Sequence, residues 1–232
     1  MPRQVQVSGE EEVQLKAGEV TLAGNLALTP EAHGIVLFAH GSGSGRHSPR
    51  NQFVASRLQE VGLATLLFDL LSAEEEAEDQ YRAHLRFDIG LLADRLVGVT
   101  DWLGRQLSTG DLPVGYFGAS TGGGAALVAA AKRPERVRAV VSRGGRPDLA
   151  AESLPLVQAA TLLIVGGDDD IVIELNKSAL RQLGAPVKEL SIIPGASHLF
   201  EEPGKLEEVA RQAAEWFDRH LAGKAHERNE GR

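Results

Sequence analysis

Short, mostly apolar runs that alternate with helical patterns constrain the fold of this chain more than any other feature. Each run has four to six residues, which is typical of parallel strands covered on both faces. The segments between them repeat apolar residues every three or four positions, as amphipathic helices do. Alternation of this kind predicts an α/β fold with right-handed crossovers. The five runs are Ile35–Ala39, Ala64–Phe68, Val114–Phe117, Val137–Ser142 and Leu162–Val165.

Three further segments extend the expected sheet. Val187–Ile193 alternates apolar and polar residues, which favours an edge strand. Val13–Lys16 and Val20–Leu28 predict an antiparallel hairpin before the parallel part. We therefore expect a mostly parallel central sheet of about eight strands with helices on both faces. The expected helices are Asn51–Val61, Asp88–Leu107, Ala125–Lys132, Glu174–Leu183 and Leu206–Leu221, and the charged run Ser72–Gln80 predicts a solvated connection or a helix start.

Composition excludes several classes of protein. The 232 residues include no cysteine, which excludes disulfide frameworks, thiol nucleophiles and iron–sulfur clusters. A net charge of −8 argues against a general nucleic-acid partner. The apolar stretches are shorter than a membrane span requires, and the start does not resemble a signal peptide, so we expect a cytoplasmic protein without a membrane partner. We expect one domain over residues 1–222 and a disordered polar tail over residues 223–232.

The strongest chemical signal is Gly118–Gly122, which reads G-x-S-x-G. It follows an expected strand and precedes an alanine-rich helix. A serine nucleophile needs such a place, because small neighbours allow a sharp strand-to-helix turn that exposes the hydroxyl. The helix start also directs free N–H groups at a developing oxyanion. Ser120 is therefore the candidate nucleophile; an ordinary turn with Ser120 as helix cap is the alternative.

A glycine-rich loop, His40–Gly45, follows the expected strand that ends at residue 39. It lacks the Gly-Lys-Ser/Thr ending of a phosphate-binding loop, and Arg46 stands where a dinucleotide fingerprint needs its third glycine. The loop can instead lend a backbone N–H to an oxyanion. Ser42 is the expected donor, with its two glycine neighbours as alternatives. His40 is expected to brace the loop.

A serine nucleophile needs a base, and the base needs an acid that orients it. His198 lies in a loop directly after an expected strand, whereas the other histidines lie in less suitable places. Asp169 follows the preceding strand and is the expected acid, with Asp168 as the alternative. The order Ser120, Asp169, His198 along the chain is the order of the α/β-hydrolase triad.

Five blocks of sequence resemble small members of the dienelactone-hydrolase-like α/β-hydrolases that lack a cap domain. The blocks are FAHGSGSGRHSPRN, GYFGASTGGGAAL, VVSRGGRPDLA, LLIVGGDDDIVIELN and IPGASHLFEEPG. The resemblance implies an α/β-hydrolase fold without a sizeable cap, no cofactor or metal, and a second oxyanion N–H from Thr121. Dienelactone hydrolases proper use a cysteine nucleophile, so Ser120 is a departure that favours hydrolysis of carboxylic esters.

The expected function is hydrolysis of a small-molecule ester, with small or exposed acyl groups, through an acyl-enzyme. Acyl transfer or peptide cleavage by the same triad, and a non-catalytic binding module, are the alternatives. For the arginines near the expected site, one hypothesis is that they bind an anionic substrate by a bidentate pair, and the alternative is structural ion pairs with Asp148 or surface carboxylates. Arg143 is the first candidate, and Arg146, Arg46 and Arg50 are the others.

Overall fold

The computed structural model describes residues 8–222, and the tail predicted over residues 223–232 lies outside this part of the chain. Strands and helices alternate from residue 35 onward, as the apolar pattern predicts. The strands are β1 Ser8–Ala17, β2 Val20–Leu28, β3 Ile35–Ala39, β4 Ala64–Phe68, β5 Val114–Ala119, β6 Val137–Arg143, β7 Ala160–Gly166 and β8 Lys188–Ile193. The helices are α1 Pro49–Glu60, α2 Ala73–Arg82, α3 Ile89–Leu103, α4 Thr121–Lys132, α5 Asp170–Gln182 and α6 Lys205–Leu221, with 3₁₀ turns at Leu85–Phe87 and Pro147–Leu156.

The eight strands form one sheet in the order β1-β2-β4-β3-β5-β6-β7-β8. The hairpin β1–β2 joins β4 in antiparallel fashion, and all other neighbours are parallel. This arrangement confirms the predicted mixed sheet and the predicted edge position of the last strand. Since β3, β5, β6 and β7 run in parallel, the loops at their carboxyl ends lie along the same edge of the sheet.

Helices cover both faces of the sheet, which explains why its central strands are mostly apolar. On β3, Ile35, Leu37 and Ala39 face one apolar core, whereas Val36 and Phe38 face the other. Helices α3 and α4 pack on the first face, and α1 and α6 pack on the second. The connection between β6 and β7 consists of a 3₁₀ segment and adds no large cap.

Several predicted helix boundaries differ from the structure: α4 begins at Thr121 and α5 at Asp170, each four residues before its predicted start. The helix predicted over Asp88–Leu107 ends at Leu103, and Leu107 is fully exposed instead of facing the core. The charged run Ser72–Gln80 agrees with one of its two predicted interpretations, because it starts a helix, α2, whose first turn is capped by the Ser72 side chain. Within residues 8–222, no helix is long and apolar enough to cross a lipid bilayer.

Candidate active site

Ser120 occupies the sharp turn between β5 and α4. Its backbone has φ 51° and ψ −120°, a conformation that is rare for residues other than glycine. Strain of this kind is characteristic of a nucleophile at a strand-to-helix turn. The hydroxyl makes no hydrogen bond with any residue in the described range, so it is free to engage a substrate.

The small residues around Ser120 allow the glycine-rich loop to lie against the turn. A Cβ at Gly122 would overlap the carbonyl oxygens of Ala39 and His40. A Cβ at Gly41 would lie 3.2 Å from the Cβ of Ser120. The G-x-S-x-G pattern thus serves a second purpose here, because it brings the loop after β3 next to the candidate nucleophile.

Backbone hydrogen bonds fix the turn to the end of β6. The N–H of Ser120 donates to the carbonyl of Arg143 over 3.2 Å. The carbonyl of Ser120 accepts the N–H of Arg146 over 3.0 Å. Between them, Gly144 has φ +52° and lies against His198, since a Cβ there would be 3.2 Å from the His198 carbonyl oxygen. The end of β6 and the following Gly144 therefore contact both the turn that holds Ser120 and the loop that holds His198.

Asp169 and His198 are in direct contact. The Nδ1 of His198 donates to Oδ2 of Asp169 over 2.6 Å, and the Asp169 side chain is only 17% exposed. Asp168, the alternative acid, is exposed and its side chain makes no hydrogen bond. Of the two neighbouring carboxylates, the structure brings only Asp169 to the histidine.

Ser120 and His198 line one cleft of about 270 Å³ at the carboxyl ends of the parallel strands. No hydrogen bond joins the two side chains directly. Hydrogen bonds between a nucleophile and its base are often long before a substrate binds. The position of Ser120 and His198 in one cleft is therefore compatible with such a pair. The described residues contain no cluster of three or more histidine or acidic side chains that could hold a metal ion.

The two expected oxyanion donors lie on either side of the turn and contact each other. Thr121 is the first residue of α4, and the first N–H groups of a helix have no intrahelical partner. The N–H of Ser42 donates to the Thr121 hydroxyl over 3.0 Å. An oxyanion would therefore have to share the Ser42 N–H with that hydroxyl or displace it.

His40 holds the glycine-rich loop in place. Its Nε2 accepts the N–H of Leu70 over 3.1 Å, and its Nδ1 lies 3.0 Å from the carbonyl oxygen of Gly41. Since Nε2 is an acceptor, the ring proton lies on Nδ1 and is donated to Gly41. Burial lowers the pKa of His40, which favours this neutral form. These contacts are those of a structural brace.

The four candidate arginines have different surroundings. Arg143 lines the cleft, is 7% exposed, and its guanidinium has no hydrogen bond or ion pair with any residue of the described range. Arg50 also lines the cleft but pairs with Glu201 over 3.0 Å. The other two pair away from it: Arg46 with Asp69 and Glu12, and Arg146 with Asp148. Burial, together with the nearby charge of Arg50, lowers the pKa of Arg143 to about 10.

Asn51 also lines the cleft, but it was not among the site residues predicted from the sequence. It belongs to the buried face of α1 with Val54, Ala55 and Leu58. A helix that packs on the core is expected to carry apolar residues on this face. A polar residue on this otherwise apolar face was the sequence signal from which Asn51 could have been identified as a candidate site residue.

The comparisons with known proteins agree with this architecture. The α/β-hydrolase fold family matches residues 34–160. The crystal structure of a dienelactone hydrolase from Anabaena variabilis is 63% identical, covers 94% of this chain and 100% of its own, and superposes with a TM-score of 0.90. The esterase Est1E from Butyrivibrio proteoclasticus is 16% identical, covers 91% of this chain and 99% of its own, and has a TM-score of 0.76, which shows the common fold.

A curated relative in two strains of Mycobacterium tuberculosis bears the provisional name of a phosphoribosyl transferase. It is 60% identical over 215 residues, which are 92% of this chain and 47% of the relative. The chain thus spans about half the length of the curated relatives that it matches. By its fold, its family match and these similarities, the chain belongs to the α/β-hydrolases and is a dienelactone-hydrolase-like member of that family.

Proposed function

We propose that this α/β-hydrolase cleaves carboxylic esters with Ser120 as nucleophile, His198 as base and Asp169 as the group that orients the base. The observation that carries the proposal is the combination of a strained, unpaired serine hydroxyl with an aspartate-bound histidine in one cleft. An exposed nucleophile, a base and an orienting acid are the parts that acyl transfer to water requires.

The reaction has two halves. The oxygen of Ser120 bonds to the ester carbonyl carbon while His198 takes the hydroxyl proton; this proton then passes to the departing alcohol. Water attacks the resulting acyl-enzyme, gives a proton to His198, and the proton returns to Ser120 as the carboxylic acid leaves. The oxyanion of each step accepts the N–H groups of Thr121 and Ser42, and one such donor typically lowers the barrier by about 3 kcal/mol.

A covalent probe tests the proposal directly. We expect a fluorophosphonate to label the protein once, on the peptide that contains Ser120, and to abolish turnover of p-nitrophenyl acetate in proportion to labelling. Peptide mass spectrometry and a colorimetric assay measure the two effects. Prior denaturation should prevent labelling, because the reactivity of Ser120 depends on the folded site. Labelling at another serine, or turnover that survives complete labelling, would contradict the assignment.

Arg143 is proposed to bind an anionic group of the substrate. A buried guanidinium without a counter-ion is costly, whereas a substrate carboxylate in the cleft would provide charge and hydrogen bonds together. Arg143 is the one candidate among the four arginines that forms no ion pair within residues 8–222; its guanidinium lies 5.8 Å from the centroid of the Phe200 ring. Its charge is thus available to a ligand.

Replacement of Arg143 by methionine should stabilise the protein. The folded state lowers the pKa of Arg143 to about 10, so it disfavours the charged form at neutral pH. We expect the free energy of unfolding to rise by roughly 1–3 kcal/mol at pH 7, as when other buried charges give way to apolar groups. Chemical denaturation of both proteins measures this difference.

The pH dependence provides the control. As pH rises through about 10, the folded protein releases the Arg143 proton while the unfolded chain keeps it. The unfolded state then binds more protons, so the stability of the native protein increases and the advantage of Arg143→Met should shrink. An R143M protein less stable than the parent at pH 7 would indicate that Arg143 has a structural role.

A further inference from the structure

Besides Arg143, the cleft contains a buried side-chain amide with an oxygen that is unpaired within residues 8–222, that of Asn51. Asn51 is 3% exposed, its Oδ1 has no hydrogen-bond partner in the described range, and it lines the cleft together with Ser120, His198 and Arg143. Buried side-chain amides are normally hydrogen-bonded, and one that is not demands an explanation. A hydrogen bond to a group of the ligand provides this explanation, because Asn51 lines the same cleft as the candidate nucleophile.

The charges around the cleft indicate how many negative charges a ligand should bring. Arg50 is already balanced by Glu201 at 3.0 Å. Arg143 has no counter-ion among residues 8–222, and the carboxylate of Asp169 is engaged by His198. One positive charge is therefore left over, which a single carboxylate would balance.

The amide of Asn51 indicates a neutral group beside that carboxylate. A primary amide offers both a carbonyl acceptor and N–H donors, and its two ends can exchange by rotation. A hydroxyl pairs with either end, because it both donates and accepts hydrogen bonds. A hydroxyl is thus the group that satisfies Asn51 in both orientations, which a methyl or a second carboxylate would not.

The remainder of the lining is poorly suited to a lipid chain. Leu199 and Ala119 are its only apolar side chains, and the other lining residues are glycine or carry polar side chains. A long acyl group would leave these polar groups without partners, which costs binding energy. The cleft therefore favours a short, polar substrate.

We propose that the substrate is a small half-ester of a hydroxydicarboxylic acid, whose free carboxylate binds Arg143 and whose hydroxyl binds Asn51. This proposal rests on the proposed esterase function and specifies its substrate class. Asn51 and Arg143 are then the residues that determine specificity, and Ser120 attacks the ester carbonyl.

Four methyl esters with the same carbon chain test the proposal. Methyl butyrate has neither group, monomethyl succinate adds the carboxylate, methyl 3-hydroxybutyrate adds the hydroxyl, and the malate half-ester with its free carboxylate next to the hydroxyl has both. Hydrolysis is followed by acid release in a pH-stat, with both enantiomers of the hydroxy esters. We expect the malate half-ester to have the highest kcat/KM, by about tenfold to a hundredfold over each ester with one group.

Variants assign each preference to its residue. R143M should remove the advantage of the carboxylate and keep that of the hydroxyl, and Asn51→Leu should do the reverse. Arg146→Met is the matched control for loss of a positive charge, because its guanidinium pairs with Asp148 outside the cleft. The control should keep both preferences.

The outcomes distinguish this proposal from the proposed function. Equal kcat/KM for all four esters, or a hydroxyl preference that survives in Asn51→Leu, would overturn the substrate class while labelling of Ser120 and turnover of p-nitrophenyl acetate leave the esterase function intact. Asn51 would then hold only solvent. If labelling and turnover of p-nitrophenyl acetate both fail in the parent protein, the esterase function itself is wrong.

Discussion

Replacement of Ser120 by alanine is expected to lower kcat for ester hydrolysis by a factor of roughly 10⁶, to the level that the rest of the site can support. The loss is expected because no other hydroxyl that lines the cleft lies at a strained turn directly before the N-terminus of a helix. Stopped assays with high enzyme concentration measure the residual rate. Labelling by a fluorophosphonate should disappear in the same variant.

The fold should tolerate this change. The Ser120 hydroxyl makes no hydrogen bond within residues 8–222, so its removal leaves no buried partner unsatisfied. We expect the free energy of unfolding of Ser120→Ala to stay within about 0.5 kcal/mol of the parent, as for Ser56→Ala, the same change on the exposed side of α1. Residual activity above about 1% would show that another group performs the attack.

The fold could be predicted from local patterns because each part of it depends on nearby residues. Strands covered on both faces require apolar runs, and helices that pack on a sheet require a 3–4 spacing. The end of α3 shows the limit of this reasoning. Apolar spacing continues to Leu107, but the chain leaves the helix after Leu103, whose carbonyl accepts the side chain of Thr109. That capping contact, from a side chain six residues further along the chain, has no periodic signal.

The candidate triad could be proposed from the sequence because its members follow the parallel strands β5, β7 and β8, whose carboxyl ends meet at one edge of the sheet. The choice among the four candidate arginines could not be predicted from the sequence. It depends on ion pairs with residues distant in the chain, such as Arg50 with Glu201 and Arg46 with Asp69. Only the folded structure separates the arginines with counter-ions from Arg143, and only it places Asn51 in the same cleft as Arg143.

The second large expected effect is on kcat, and it distinguishes Asp169 from its neighbour Asp168. Asp169→Asn is expected to lower kcat by about 10⁴, whereas Asp168→Asn should change it less than threefold. The Asp169 carboxylate accepts the Nδ1–H of His198 over 2.6 Å, which leaves Nε2 without a proton and ready to act as a base. An asparagine can donate to Nδ1 instead, and the ring proton then moves to Nε2, where it blocks proton transfer from Ser120.

The two variants form a matched pair, because they make the same isosteric change at neighbouring positions. The Asp168 side chain is exposed and makes no hydrogen bond, so its replacement removes one negative charge near the site and nothing else. KM should stay similar in both variants, since neither aspartate lines the cleft. If Asp168→Asn has the larger effect on kcat, the histidine takes a different partner during turnover. If both changes are mild, His198 acts without an orienting carboxylate, and the base would have to be assigned anew from the groups that line the cleft.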